Sequence, residues 1–194
     1  MRFYYILNPS ALNKLFFRIL MNKTLTQPNH SELTEQNIQV VELASASAAA
    51  SALFQHAFGD PVPDFPRHFV LQVSGADQQP LTLGYVHFTQ HHNIYLGGGM
   101  CIDSRLLRQL SKAQRKALQR QGGPAFTLLS NAIKQLDDGV AVFGHVGHQG
   151  AYQVDLAVGF KPTNHPHLIV YWLAELSDEQ QRDTIQLAAD VGPF

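Results

Sequence analysis

Arg120-Gln121-Gly122-Gly123-Pro124-Ala125 lies between two segments of helical periodicity. Two adjacent glycines lack the side chains that would hold a ligand away from the backbone. Pro124 suits the first position of a helix, where its preset φ helps and its missing N–H is not needed. The N–H groups around Gly122, Gly123, Ala125 and Phe126 are therefore expected to point out of a helix N-terminus, an arrangement that binds anions and above all phosphates. The same residues also read as a plain interhelical turn.

On either side the pattern is legible. Residues 104–119 repeat Leu106, Leu107, Leu110, Ala113, Ala117 and Leu118 at helical spacing, with Arg105, Arg108, Lys112, Arg115 and Lys116 around them. Residues 125–136 form a second expected helix, and the continuous apolar run 140–146 suits a buried strand. Further upstream, residues 38–43 read as a strand, 45–58 as an Ala-rich helix with Ser45 as N-cap, and 61–66 as loop. Residues 68–73, 81–89 and 94–102 read as an antiparallel meander, with Val86 and Phe88 on one face and Tyr85 and His87 on the other. Gly97-Gly98-Gly99 inside the last of these strands marks a bulge or a close backbone approach. Downstream, 155–160 and 167–173 read as strands, and Ser177-Asp178-Glu179-Gln180 as a capping box opening a last helix to about residue 190. Strands come in a run before the main helices, which predicts a mixed, mostly antiparallel central sheet flanked by helices.

The chain has 194 residues, 45% hydrophobic and 15% charged, with formal net charge −1, enough for one globular domain. Residues 1–37 are expected to be an N-terminal appendage and linker, and 38–194 the domain. The apolar run within residues 1–20 is broken at Asn8-Pro9-Ser10 and Asn13-Lys14, which fits neither a secretory signal nor a membrane span. A pI near 6.8 without a basic run argues against nucleic acid as partner. The single cysteine, Cys101, excludes an internal disulfide and agrees with a reducing compartment.

Arg120-x-x-Gly123-x-Ala125 resembles the Arg/Gln-x-x-Gly-x-Gly/Ala signature of the GNAT superfamily of acyl-CoA-dependent N-acyltransferases. Val158-Gly159-Phe160 is similar to the Gly-Phe that opens a late strand in that family, and the element order over residues 38–173 agrees. The resemblance implies an acyl-CoA N-acyltransferase-like α/β (α+β) fold and acetyl-CoA or another acyl-CoA as co-substrate. It also implies a cytoplasmic acetyltransferase acting on a small-molecule or peptide amine, with no integral membrane association. On that basis Arg120, Gln121, Gly122, Gly123, Pro124 and Ala125 would hold the CoA pyrophosphate. The main chain of Met100, Cys101 and Ile102 would pair with the pantetheine arm, and the thioester would lie where strands 94–102 and 140–146 part. Two departures stand out: the helix over 104–119 intervenes before the loop, and Asp155 occupies the position, four residues before the late glycine, where many members carry a tyrosine acid. A non-catalytic CoA- or anion-binding domain of the same fold is the alternative.

Among the ten histidines, His145 and His148 flank the end of the apolar strand beside Gly144 and Gly147, and a neutral imidazole at His145 suits a general base. Tyr152 is the substitute acid. His91-His92, His145-x-x-His148 and His165-x-His167 lack the His-Glu-x-x-His spacing of a metal site, so no metal is expected. Oligomeric state is left open, a homodimer included.

Overall fold

The computed structural model describes residues 38–64, 67–75 and 79–194; the expected appendage and linker fall outside them. Among the described residues one seven-stranded sheet is built from β1 (Ile38–Leu43), β2 (Arg67–Ser74), β3 (Pro80–His91), β4 (Ile94–Ile102), β5 (Ala141–His145), β6 (Lys161–Pro162) and β7 (Leu168–Trp172). Their spatial order is β1-β2-β3-β4-β5-β7-β6. Only β4 and β5 run parallel; every other neighbouring pair is antiparallel. Six helices flank it: α1 (Ser47–Phe58), α2 (Ser104–Gln109), α3 (Lys112–Arg120), α4 (Pro124–Ile133), α5 (Gln149–Val158) and α6 (Asp178–Val191). The expected mixed, mostly antiparallel sheet is what forms.

Alternation along β3 divides the core. Val86 and Phe88, with Leu83 from beyond the register shift opposite Leu71 and Gln72, join α4 residues Leu128, Leu129 and Ala132 on one face, while Tyr85 packs with Ala50, Leu53 and Phe54 of α1 on the other. Beyond β5 that second face continues under α6, where Phe143, Leu168 and Val170 meet Ala188. The period of two in the sequence is therefore the physical division between two packed layers.

The glycine triplet in β4 is a bulge, as its composition indicates. Val86 pairs with Met100 but Phe88 pairs with Gly97, so β4 carries an extra residue opposite His87. A Cβ on Gly98 would collide with the His87 ring, and one on Gly99 would stand 3.0 Å from Phe54 and Phe58. Two successive residues thus face α1, and the strand's parity changes across them.

Three readings of the sequence need correction. The N-cap of α1 is Ala46, with no side-chain cap, so Ser45 does not cap it. Residues 104–119 form two helices, broken at Leu110-Ser111. Asp103 caps α2 by accepting from the N–H groups of Arg105 (2.8 Å) and Leu106 (3.1 Å). Ser111 and Gln114 form a capping box on α3, and the Gln114 amide donates to the Ser74 carbonyl at 2.9 Å. Strong local caps outweigh a continuous apolar period. Residues 155–160, expected as a strand, belong mostly to α5. There His148 is the N-cap, its Nδ1 accepting from Gly150 (3.1 Å) and Ala151 (3.3 Å), and Ala151, Val154 and Asp155 are buried. Gly159 ends the helix and Phe160 leads into β6, so tertiary burial overrides the β-branched composition.

At the end of the sheet where β4 begins, Arg67 ties four elements together. Its guanidinium grips both Glu42 oxygens (2.6 and 2.7 Å) and donates to Tyr95 Oη (3.1 Å) and the Gln135 carbonyl (2.9 Å). The bidentate fork suits a carboxylate. This end is closed, and the opening lies at the other.

Candidate functional site

The opening follows from strand register. β4 and β5 pair through Ile94↔Ala141, Tyr95↔Val142, Leu96↔Phe143 and Gly97↔Gly144, where their ladder ends. From Gly98 to Ile102 β4 continues along β3 without β5 beside it. A slit lined by Gly97, Gly98, Met100, Gly144, Val146 and Asp155 occupies the parting. Asp155 is 5% exposed, and α5 aims it into this otherwise apolar slit.

Met100, Cys101 and Ile102 are the last three residues of β4. The Cys101 thiol is 3% exposed, and burial pushes its pKa up to about 12. It stays protonated, which rules against nucleophilic use. The second turn of α4 lies over this end of β4, since Leu128 and Ile102 both close on Gly84. The helix that follows segment 120–125 therefore packs beside the end of β4.

That segment has a more specific geometry than its composition suggested. Gly122 (φ 92°) and Gly123 (φ 95°) both adopt left-handed backbone, which other residues rarely enter. Their N–H groups turn back to close α3, Gly122 bonding the Gln119 carbonyl (3.1 Å) and Gly123 the Leu118 carbonyl (2.8 Å). Gly123 is the N-cap of α4 and Pro124 its first residue, with no side-chain cap. The donors at the helix start thus narrow to those of Ala125 and Phe126. Arg105, Arg108, Lys112, Arg115, Lys116 and Arg120 are all exposed on α2 and α3, and residues 104–120 contain no acid.

A second, larger cavity of about 500 Å³ lies between the start of α5 and the β6–β7 loop, lined by His148, Tyr152, Thr163, Asn164, His165 and His167 among others. Its volume suits a small organic ligand. Tyr152 is half-buried here. His145, at the end of β5, turns to the α6 face instead, beside the Phe194 ring (6.2 Å) and the His167 ring (5.9 Å). Burial, then the neighbouring His167, lowers the His145 pKa and keeps it neutral. His145 and Tyr152 thus do not share a wall; His167 connects them. Sequence reading noticed His167 only as a metal candidate. Among the described residues no three His, Cys, Asp or Glu side chains come together as a metal site, and no helix is long and apolar enough to cross a membrane.

No family model and no curated protein matches the chain. Several solved structures do. YhhK from E. coli, in a solution structure bound to coenzyme A, aligns over 70% of this chain and 98% of its own, at 12% identity and TM-score 0.45. The ribosomal-protein-S18-alanine N-acetyltransferase from Escherichia coli aligns over 73% and 97%, at 11% and 0.44. The KacTA–DNA complex contributes a chain aligning over 79% and 99%, at 14% and 0.41. All three TM-scores are below 0.5, so the fold class rests on this chain's own strand order and directions. These are a mixed, mostly antiparallel sheet with one central parallel pair that parts beyond Gly97.

Proposed function

We propose that this chain is an acyl-CoA-dependent N-acyltransferase, moving an acetyl or other acyl group from CoA to a small-molecule or peptide amine. The observation that carries the reading is the parting of β4 from β5 after Gly97↔Gly144. An extended pantetheine arm fits there as an added strand along the main chain of Met100, Cys101 and Ile102. Its pyrophosphate would meet the Arg120–Ala125 segment, with Gln121, Gly122, Gly123 and Pro124 shaping the loop. The positive end of α4 and the exposed cations of α2 and α3 favour the phosphates electrostatically.

With the thioester in the slit, an amine held in the neighbouring cleft attacks its carbonyl carbon. Positioning supplies much of the acceleration. A neutral imidazole at the end of β5, His145 or its partner, takes the proton released by the amine, and Tyr152 donates one to the departing thiolate. A cytoplasmic setting belongs to the same proposal; a lone buried cysteine fits a reducing compartment.

A second reading, CoA binding without turnover, is favoured by Asp155, a buried carboxyl where the resemblance places a tyrosine acid. Incubation with acetyl-CoA and a panel of alkyl, aryl and peptide amines separates the two. Amine-dependent release of free CoA thiol is expected. Acetyl-CoA binding without thiol release favours the second reading.

A further inference from the structure

His167 stands out in the β6–β7 loop. It has φ 67°, one of two non-glycine residues in left-handed backbone among those described, a conformation whose strain concentrates at functional positions. The residue is held there at two points by Val146, the first residue beyond β5. The Val146 N–H donates to the His167 carbonyl at 2.8 Å, and His167 Nδ1 lies 3.2 Å from the Val146 carbonyl. A carbonyl only accepts, so Nδ1 carries the proton, and in the neutral ring Nε2 keeps the lone pair. The loop is braced further by Thr163, whose hydroxyl donates to the Leu168 carbonyl at 2.9 Å and accepts from the His165 N–H at 3.1 Å.

The ring also joins two places that the sheet separates. It lines the cleft with Tyr152 and lies 5.9 Å from the ring of His145. Burial, then the neighbouring His167, holds the His145 pKa below the usual imidazole range.

We propose that His167 is a catalytic residue of this site, the member of a His145–His167 pair that opens onto the acceptor cleft and takes the amine proton on Nε2. The proposal rests on the acyltransferase reading. The amine lone pair forms the new C–N bond to the thioester carbonyl, the C–S bond breaks, and its electron pair leaves on sulfur. The amine proton moves to His167 Nε2 and from there to solvent, and the thiolate takes its proton from Tyr152, which regains one from water. His145, kept neutral by burial, adds no positive charge beside the His167 ring. His148, His165 and Tyr152 are the other titratable groups lining the cleft.

The test variant is His167→Asn, since Asn tolerates positive φ and retains a side-chain N–H for the Val146 carbonyl. With acetyl-CoA and the amine panel, kcat is expected to fall ~100-fold or more at unchanged KM for acetyl-CoA. The acidic limb of the kcat/KM pH profile should disappear, and the melting temperature should stay near wild type. If wild type transfers acyl groups and the variant matches it within about twofold, with the acidic limb intact, the His167 role is overturned while the acyltransferase reading stands. If wild type releases no thiol with any amine, both fall. Long-range ¹H–¹⁵N spectra of wild type give an activity-independent readout: His167 protonated on Nδ1 is expected, and protonation on Nε2 overturns the proposal.

Discussion

His87 shows most directly how single residues constrain this structure. It is 4% exposed, its Nδ1 has no hydrogen-bond partner among the described residues, and Gly98 gives its ring room. Burial, helped by nearby His68, lowers its pKa to about 4, against about 6.5 in an unfolded chain. Between those values the unfolded state binds more protons, so stability rises with pH. The contribution is fully present above about pH 6.5 and is lost as pH falls through 4. A shift of this size corresponds to about 3 kcal/mol. Urea midpoints measured from pH 7 to pH 4 should drop steeply in wild type and less in His87→Leu; equal slopes would show that His87 is not the group that titrates. The glycines around it were legible in sequence as a bulge. The buried imidazole was not, because alternation gave the face of His87 but not the depth of α1 above it.

At the scale of elements, the α3–α4 turn is a test of local geometry. Gly122 and Gly123 share positive φ, but a Cβ on Gly122 would stand 2.7 Å from the Phe126 ring while one on Gly123 meets nothing within 4 Å. Gly123→Ala should cost about 1–3 kcal/mol of backbone strain, since φ 95° with ψ 166° is a region essentially reserved for glycine. Gly122→Ala should cost clearly more, since the Phe126 ring must move as well. Chemical denaturation of both variants measures this, and equal losses would contradict the turn geometry. Strand and helix existence was mostly readable because periodicity records which face is buried. The exceptions had competing causes. The break at Ser111 came from a capping box inside an amphipathic period, and α5 came from packing against α4 despite Val154 and Val158. Asp155 moved with α5, from an expected strand into the wall of the slit.

The whole molecule is a sheet clamped at one end and parted at the other. Arg67 joins β1, β2, β4 and the end of α4 where β4 and β5 remain paired; beyond Gly97 the strands separate, and the second turn of α4 lies over the end of β4. The sequence carried the glycine pair, Pro124 and the helix start, which is why the candidate anion site was legible. The larger cleft was not, because His148 and Tyr152 at the start of α5 meet His167 of the β6–β7 loop only through the register of β5 with β7. The central claim is that the parted strands and the α4 N-terminus hold acyl-CoA. Thermal unfolding with acetyl-CoA tests it most directly. At about 100 times Kd the ligand should add about 2.7 kcal/mol, a rise in melting temperature of roughly 5–10 °C for a domain of this size. An unchanged melting temperature up to millimolar acetyl-CoA would contradict it.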